Sequence, residues 1–397
     1  MARQVSLDDL AAVVTGRSES LFDIAMDKVA DELAERVTGK NLLFTGGAGF
    51  IATQTLKVLL QFDPRSIVVV DSSENMLAEF VREFRSTGAI AGSTRVEPRL
   101  VDITSPLVDR IWGDVCPIDA AYQFAAAKHV RSERDPVSLL RMIQVNLNGT
   151  ARLTRSLVNE NPDADLFVVS TDKAADPSSL MGASKRLMEM AILGRYPKAT
   201  TTRFANVAFS NGSLLESWVR RLREGQPLAV PEDTWRYFVS PHEAGQVCAI
   251  ASVAAPGSIV VPDEAETGMV ELEVALVRVL DRLGLTPIFV SEAEALDSER
   301  YSDNEVPVVR SLRDTAGEKR EEKFVAAQET RHDWLPNIGI VSASQDADAA
   351  DAMAQWVDEQ INDSSRSLTV ADISSAVSEF LPEFRHIASE KRLDDRL

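Results

Sequence analysis

Asn41–Ala52 reads NLLFTGGAGFIA, a short apolar run that leads through a glycine-rich turn into a helical pattern. A strand, a tight turn and a helix in this order form the phosphate-binding unit of dinucleotide-binding proteins. Gly46 suits the turn, Gly49 allows a pyrophosphate to approach the backbone, and Ala52 is a small substitute for a third glycine. The N–H groups of the new helix would face the phosphates. The residues expected to contact a cofactor at this turn are Gly46, Gly49, Phe50 and Ile51.

An acidic residue follows the turn at the spacing that a dinucleotide site requires. Asp71 ends the next apolar run, about 20 residues beyond Gly49, where a carboxylate can accept hydrogen bonds from both hydroxyls of an adenosine ribose. It would also repel a 2′-phosphate, so the sequence predicts NAD and makes NADP less suitable. The alternative is that Asp71 caps the following helix. The further residues expected at the cofactor are Ser72, Asp102, Ile103, Ala125, Ala126 and Lys128.

Apolar runs and helical patterns alternate through the first half of the chain. The runs predicted to be strands are 41–45, 66–71, 95–101, 120–125, 165–170 and 201–209, and the helical patterns between them include 54–62, 75–87, 139–158 and 184–193. Strands that are apolar on both faces and separated by helices predict an α/β protein with a doubly wound parallel sheet.

The remainder of the chain is less regular, and we expect four parts in all. These are an N-terminal helical extension at 1–40, a cofactor-binding domain with the catalytic residues at 41–210, a smaller, partly interleaved substrate-binding lobe at 211–345, and a C-terminal helical tail at 346–397. The predicted elements outside the large sheet are two amphipathic helices before Gly39, helices at 214–223, 269–282, 346–362 and 370–381, strands at 258–261 and 287–290, and a mobile charged loop at 298–323.

Composition excludes several classes of function. The chain has 397 residues, is 45% hydrophobic and carries a net charge of −19, which argues against nucleic-acid or anionic-membrane binding. Cys116 and Cys248 have no CxxC spacing, so we expect reduced thiols and no metal site. We see no secretory signal and no apolar run of about 20 residues, and a cytoplasmic location is expected. The terminal amphipathic helices must bury their apolar stripes, which favours a homo-oligomer over packing on the same chain only slightly.

The strongest chemical motif follows the fifth predicted strand. Ser170–Ala174 reads STDKA, and Met181–Lys185 reads MGASK at the start of a helix. Open α/β sheets bind ligands at the carboxyl ends of their strands. Lys185 would lie on the same helix face as Met181, four residues earlier. The alternatives are a solvated turn for Asp172 and Lys173 and a surface position for Lys185.

These motifs resemble those of the bacterial UDP-N-acetylglucosamine 4,6-dehydratase family, the polysaccharide-biosynthesis type of extended short-chain dehydrogenase/reductase. Four other segments are similar to that family: AAAKHV at 125–130, NLNGT at 146–150, TRFANV with SNGS at 202–213, and WRYF at 235–238. The resemblance extends from about Thr38 to Ile250. Residues before Gly39 also look like the linker helices that precede the catalytic domain in large membrane-anchored members.

The resemblance implies a Rossmann-type fold and a reaction. Tightly bound NAD would oxidise C4 of the hexose, water would leave across C5 and C6, and the hydride would return to C6. By the resemblance Lys173 is the base at C5, Asp172 the acid at O6 and Thr171 a donor to O4. Lys185 would bind the nicotinamide ribose, and Met181 occupies the place of a tyrosine common in the wider class. The expected nucleotide-sugar contacts are Lys128, His129, Asn206, Ser213 and Arg236.

Several alternatives stay open on the sequence. His129 could be structural and Arg236 an ordinary salt-bridge residue. Departures from the family pattern at Ala205 and Arg131 leave the exact sugar and nucleotide undetermined. A 4-epimerase or 4-ketoreductase on the same fold normally needs a tyrosine where Met181 stands, and a catalytically weakened NAD-binding relative would not need Thr171–Lys173 intact.

The position of Asp71 generates a test of cofactor choice. The wild-type protein is expected to bind NAD more tightly than NADP, and Asp71→Ala is expected to narrow the difference, because the carboxylate repels a 2′-phosphate. Fluorescence titration with both cofactors measures this. Tighter binding of NADP by the wild-type protein would contradict the assignment.

Overall fold

The computed structural model describes residues 5–87, 94–114, 117–128, 133, 135–297, 301–312, 317–343, 345–363, 365 and 367–387. The apolar runs of the first half lie side by side in one nine-stranded sheet. In spatial order its strands are β14 (Thr330–Leu335), β15 (Ile338–Ser342), β10 (Ile259–Pro262), β6 (Ala199–Thr202), β5 (Asp165–Val169), β4 (Ala120–Gln123), β1 (Asn41–Thr45), β2 (Ser66–Asp71) and β3 (Arg95–Leu100).

The pairing of these strands confirms the predicted doubly wound sheet. Every neighbouring pair from β3 to β10 is parallel. At the other edge β15 pairs antiparallel with both β10 and β14. The order β3-β2-β1-β4-β5-β6 is that of the Rossmann fold, in which the winding direction reverses between β1 and β4. Leu42, Leu43 and Phe44 of β1 are fully buried because helices cover both faces of the sheet. Ligands of such sheets bind in the crevice at that reversal.

The helices were only partly predicted, since the helix at 241–252 was not expected and the one expected at 139–158 is interrupted. In chain order they are α1 (Leu7–Thr15), α2 (Asp23–Lys28), α3 (Ala30–Val37), α4 (Phe50–Leu59), α5 (Glu74–Ser86), α6 (Pro136–Ile143), α7 (Thr150–Glu160), α8 (Leu180–Arg195), α9 (Leu214–Arg223), α10 (Pro241–Ser252), α11 (Glu264–Thr267), α12 (Leu272–Leu283), α13 (Glu292–Ala295), α14 (Ala347–Asn362) and α15 (Val370–Phe380). A π-helical turn, Gln144–Gly149, joins α6 to α7.

Two three-stranded sheets lie beside the large one. The first has the order β11 (Met269–Glu271), β9 (Trp235–Val239) and β7 (Asn206–Val207), and the second has the order β12 (Thr286–Val290), β13 (Glu305–Ser311) and β8 (Leu228–Pro231). Trp218 of α9, Leu276 of α12 and Val308 of β13 share a core with α1. The strands β10, β14 and β15 come from the segment assigned to the second lobe, yet they pair in the large sheet. The domain boundaries stay a prediction.

Three predictions of local structure are wrong. The sixth strand is not continuous over 201–209, because residues 203–205 leave the large sheet and β7 joins a small one. The N-terminal extension has three helices and not two. Residues 298–323 are not simply a charged loop: in their described part β13 is the central strand of a small sheet, with Val306 and Val308 buried in the hydrophobic core that α9 and α12 share.

The N-terminal helices pack on their own chain. Leu10, Ala11 and Val14 of α1 are buried against the α9–α12 core, and Phe22 and Leu33 join the core of the large sheet. Their apolar stripes therefore supply no argument for self-association, which stays a prediction. None of the described helices combines the length and apolar content that a membrane-spanning helix needs.

One buried ion pair fastens this extension to the body. Arg17 donates two hydrogen bonds of 2.8 Å to the carboxylate of Glu243 on α10 and others to the carbonyls of Thr267 and Phe238. Burial opposes the charge of Glu243, but Arg17 outweighs it and the pKa of Glu243 lies below its ordinary value. The pair orders the link between α1 and α2.

Removing Arg17 should therefore destabilise the whole fold. Arg17→Ala is expected to lower the free energy of unfolding by about 3 kcal/mol, because it leaves Glu243 charged and buried. The exposed pair Arg82–Glu79 provides the control: Arg82→Ala should change stability by less than about 1 kcal/mol. Denaturant unfolding of both variants measures the difference, and equal effects would refute a structural role for the Arg17 pair.

Candidate active site

The glycine-rich turn has the geometry that a dinucleotide phosphate needs. Gly46 has φ +63°, and a Cβ there would lie 2.4 Å from the backbone nitrogen of Ala125 at the end of β4. Only glycine fits this close approach. Gly49 is the N-cap of α4 and no side chain caps the helix, so the first-turn N–H groups of Phe50 and Ile51 remain for an anion. These features fit a bound pyrophosphate.

Asp71 lies beside that turn at the end of β2. Its carboxylate accepts N–H groups from Ser73 at 3.0 Å and from Ala48 of the glycine-rich turn at 3.3 Å, and Ser72 is exposed next to it. Burial is the largest influence and raises the pKa of Asp71 against these hydrogen bonds. The N-cap of α5 is Ser73 and not Asp71, which instead braces the glycine-rich turn at the place where a ribose would bind. Its contact with a ribose stays a prediction.

The remaining residues predicted to contact the cofactor differ in burial and in hydrogen-bond partners. Asp102 accepts hydrogen bonds from the backbone and hydroxyl of Thr104 and pairs with Arg141. Ile103 is buried against Gly149. Along the end of β4, Ala125 is partly buried while Ala126 and Lys128 are exposed. His129 lies outside the described residues.

Asn146, which was quoted only as part of a motif, organises this edge. It is fully buried in the π-helical turn, accepts the N–H of Ala127 at 2.9 Å and donates to the carbonyl of Ala127 at 3.0 Å. Its amide also donates to Ser184 of α8 at 2.9 Å. One side chain therefore ties the segment after β4 to the helix that carries Met181 and Lys185.

Thr171, Asp172 and Lys173 form a connected set at the end of β5. The Oδ1 atom of Asp172 accepts the Thr171 hydroxyl at 2.7 Å, the Lys173 backbone N–H at 2.9 Å and the Lys173 ammonium at 3.0 Å. Asp172 is 2% exposed, and its Oδ2 atom has no hydrogen-bond partner among the described residues. A buried carboxylate oxygen without a partner is costly unless a ligand satisfies it.

Burial and charge act in opposite directions on Lys173. Desolvation disfavours its ammonium, but Asp172 and then Glu322 outweigh this, so the pKa of Lys173 lies above its ordinary value. Glu322 lies 4.0 Å from the Lys173 nitrogen and is itself buried. Burial raises the pKa of Glu322 despite the attraction of Lys173. In the free protein Lys173 is therefore a cation near neutral pH.

Helix α8 brings Met181 and Lys185 to the same edge. A Cβ at Gly182 would lie 2.4 Å from the carbonyl oxygen of Lys173, so this glycine lets the helix approach the turn at Thr171–Lys173 closely. Met181 is buried, and Lys185 donates to the carbonyl of Val169 at 3.1 Å. Burial lowers the pKa of Lys185 to about 8. Lys185 is thus a buried group at the site and not a surface lysine.

The residues predicted to bind the nucleotide sugar have structural partners in the free protein. Asn206 donates to the carbonyl of Tyr237 at 3.2 Å, and Ser213 caps α9. Arg236 donates to the carbonyls of Lys319 and Arg320 at 3.0 and 3.1 Å and lies 3.5 Å from Glu318. The salt-bridge alternative for Arg236 is therefore realised here, and substrate contact by these residues stays a prediction.

Arg236 holds part of a segment that lies beside the turn at Thr171–Lys173 and that we call the cover segment, Gly317–Lys323. Ser178 donates to the carbonyl of Gly317 at 2.8 Å, and Lys319 pairs with Asp176 at 2.8 Å. These contacts place Glu322 beside Lys173. Sequence reasoning missed Glu322, because a run of charged residues gives no sign of burial.

A buried ion cluster anchors the same edge from behind. Arg203 is fully buried between Glu189 of α8, at 2.7 and 2.8 Å, and Glu329, at 2.6 and 2.8 Å. Glu189 also accepts the hydroxyl of Ser170 at 2.6 Å. Sequence reasoning quoted Arg203 within a motif but gave it no role.

Comparison with known proteins identifies relatives of this chain. Residues 42–334 match the family described as polysaccharide biosynthesis protein. The capsular polysaccharide biosynthesis protein CapD of Staphylococcus aureus is 28% identical over 77% of this chain and 50% of its own length. An inverting UDP-N-acetylglucosamine 4,6-dehydratase of Campylobacter jejuni is 26% identical over 51% of this chain and 60% of its own, and a UDP-glucose 4-epimerase of Rickettsia akari is 26% identical over 50% and 58%. The chain thus matches only about half the length of these relatives.

Solved structures confirm the fold. The protein Pen from Bacillus thuringiensis has a TM-score of 0.63 with 19% identity, covering 82% of this chain and 98% of its own. The UDP-glucuronic acid 4-epimerase of Bacillus cereus, solved with UDP-glucuronic acid and NAD, has a TM-score of 0.53 with 15% identity, covering 86% and 99%. At these identities the likeness establishes the fold alone.

Glu133 gives this edge a pH-dependent element that sequence reasoning also missed. Its buried carboxylate accepts the N–H groups of Leu180 and Met181, at 3.2 and 3.0 Å, at the start of α8. Burial raises its pKa from 4.5 to about 7 against those hydrogen bonds. Since the folded protein holds this proton more tightly than the unfolded chain, the stabilisation is complete below about pH 4.5 and is lost as the pH rises through 7.

The prediction compares wild type with Glu133→Gln in denaturant unfolding across this range. The stability of wild type relative to the variant should fall by roughly 3 kcal/mol between about pH 4.5 and pH 8, because only wild type must ionise a buried carboxyl. The exposed Glu83 supplies the control, and Glu83→Gln should show almost no such trend. A constant difference between wild type and Glu133→Gln would be inconsistent with a buried, neutral Glu133.

Proposed function

The chain belongs to the polysaccharide biosynthesis protein family, and on that premise we propose that it is a nucleotide-sugar 4,6-dehydratase that acts on UDP-N-acetylglucosamine with NAD as cofactor. The observation that carries the proposal is the state of Asp172. Its Oδ1 atom has three donors, while Oδ2 is buried and without a partner among the described residues. An oxygen in that state suits a substrate hydroxyl such as O6.

The Asp172–Lys173 contact supplies both reactive groups of the elimination. Transfer of one proton across the 3.0 Å contact converts the ammonium and carboxylate into a free amine and a carboxylic acid. Lys173 can then remove the C5 proton, and Asp172 can protonate the C6 hydroxyl as it leaves. Thr171 donates to Asp172 in the free protein, and its hydroxyl is available to O4 when a sugar binds.

The protein groups at the crevice fit the cofactor that this chemistry requires. A bound NAD would supply hydride removal at C4 and hydride return at C6. The residues that would hold it are Gly46, Gly49, Phe50, Ile51, Asp71 and Lys185. The lowered pKa of Lys185 suits a lysine that donates hydrogen bonds in a dry pocket.

Met181 supports one of the two reactions that the relatives suggest. The 4-epimerase among the relatives favours a 4-epimerase or 4-ketoreductase as the second candidate. A thioether has no proton to transfer, so Met181 cannot perform the acid–base step at O4. Because Asp172 holds the proton from Lys173 in the elimination, the O4 proton would pass to a water held by Thr171 and Lys185, and the missing tyrosine favours the dehydratase.

Mass spectrometry of UDP-N-acetylglucosamine after incubation with the protein and NAD tests the proposal. A dehydratase product has lost one water, whereas an epimer keeps the mass of the substrate. Unchanged mass with an altered sugar configuration would replace the proposal by the epimerase.

The role of Lys173 is tested by substitution. Lys173→Ala is expected to lower the dehydration rate by about 100-fold or more while NAD still binds, because the lysine acts on the sugar and not on the pyrophosphate. Exchange of the C5 proton with deuterated solvent should disappear with it. Met181→Leu, which is equally aprotic and similar in volume, should keep most of the turnover. Near-wild-type turnover of Lys173→Ala would remove the lysine from its proposed role.

A further inference from the structure

The cover segment places a second carboxylate at the proposed base. Glu322 is 3% exposed and lies 4.0 Å from the Lys173 nitrogen, which also contacts Asp172 at 3.0 Å. Nothing in the proton transfer between Lys173 and Asp172 uses it. A carboxylate is expensive to bury, so its position beside a lysine calls for a physical role.

The groups around Glu322 define its electrostatic setting. Burial has the largest influence and raises the pKa of Glu322, Lys173 lowers it, Asp172 raises it, and Arg236 and Lys319 lower it. Lys319 is paired with Asp176, and Arg236 lies near Glu318, so both cations already have anionic neighbours. Lys173 also has an anionic neighbour in Asp172, but it lies 4.0 Å from Glu322 and has the largest influence of the three cations on the pKa of Glu322.

We propose that Glu322 is a positioning residue that holds the proton on Lys173 and so sets the pH range in which this lysine can act as a base; the proposal deepens the function proposed above and rests on it for the identity of the reaction. An ionised Glu322 stabilises the ammonium and opposes proton transfer to Asp172. A neutral Glu322 removes one of the two anions that retain the proton. The only chemical change in this step is the transfer of one proton from the Lys173 nitrogen to an Asp172 oxygen.

The first experiment measures the ionisation of Lys173 without any substrate. Acetylation by acetic anhydride, quantified on the Lys173 peptide by mass spectrometry across a pH series, reports the fraction of free amine. Glu322→Gln should move the midpoint down by about one pH unit, the lower end of what an opposite charge within about 4–6 Å produces. Glu322→Asp keeps the charge and should stay closer to wild type. Glu321→Gln, at the exposed neighbouring position, is the matched control and should not move the midpoint.

The second experiment uses reciprocity and leaves residue 322 unchanged. If Glu322 retains the proton on Lys173, then Lys173 must favour the ionised form of Glu322 to the same extent. Lys173→Met should therefore move the ionisation of Glu322 to higher pH in infrared difference titrations. Asp172 also contacts Lys173, so the titration compares Asp172→Asn with the double variant Asp172→Asn, Lys173→Met, in which Glu322 is the remaining carboxyl that contacts residue 173. This measurement decides the matter even if Glu322→Gln does not fold.

The pH dependence of turnover then links the ionisation to the reaction. In Glu322→Gln the rising limb of the kcat profile and of C5 proton exchange should shift down by the same unit or so, with KM little changed. A Lys173 midpoint that is equal in Glu322→Gln and wild type overturns the inference whatever the reaction. The other outcome combines two results: the Lys173 midpoint shifts in Glu322→Gln, and the wild-type protein releases no water from UDP-N-acetylglucosamine. That outcome supports the inference and rejects the proposed function instead.

Discussion

The ion cluster around Arg203 is the constraint on which the active edge depends. A guanidinium with no solvent contact is tolerated only because Glu189 and Glu329 each bind it through two oxygens. Arg186 adds a second positive charge at 3.3 Å from Glu189, so the buried charges balance. Removing any one partner would leave an uncompensated charge in the interior, which is far more costly than never burying the group. The cluster therefore behaves as one unit.

That unit joins four segments that are distant in the chain. Glu189 is on α8, Arg203 follows β6, Ser170 follows β5, and Glu329 follows the cover segment. Arg203 also donates to the carbonyl of Phe324 at 3.2 Å, directly beyond the cover segment. Because these contacts have specific geometry, the turn at Thr171–Lys173 and the cover segment are held at a defined separation. The closeness of Glu322 to Lys173 follows from this anchor.

The active edge differs from its anchor in how completely its charges are satisfied. In the anchor every buried charge has close partners, whereas Asp172 keeps a buried oxygen without one among the described residues and Glu322 lies at the outer limit of an ion pair. Folding would favour full satisfaction, so the incomplete set supports the substrate site proposed at this edge. The Rossmann-type sheet serves many reactions, and the side chains at its crevice select among them. Here an aprotic Met181 beside an acid–lysine pair makes elimination the better match.

The sequence by itself determined the architecture and the position of the candidate active site in it. The spacing of apolar residues and the composition identify the strands. The glycine-rich turn and the STDKA segment are recognised from consecutive residues alone, so both can be predicted from the sequence. What only the tertiary structure decided are properties that depend on distant residues: the burial of Glu322, Glu133 and Arg203, the raised pKa of Lys173 and the lowered pKa of Lys185. Glu322 and Lys173 are separated by more than a third of the chain, and no local pattern distinguishes a buried charge from a solvated one. Desolvation and Coulomb attraction act through space, and the fold alone sets the distances over which they act.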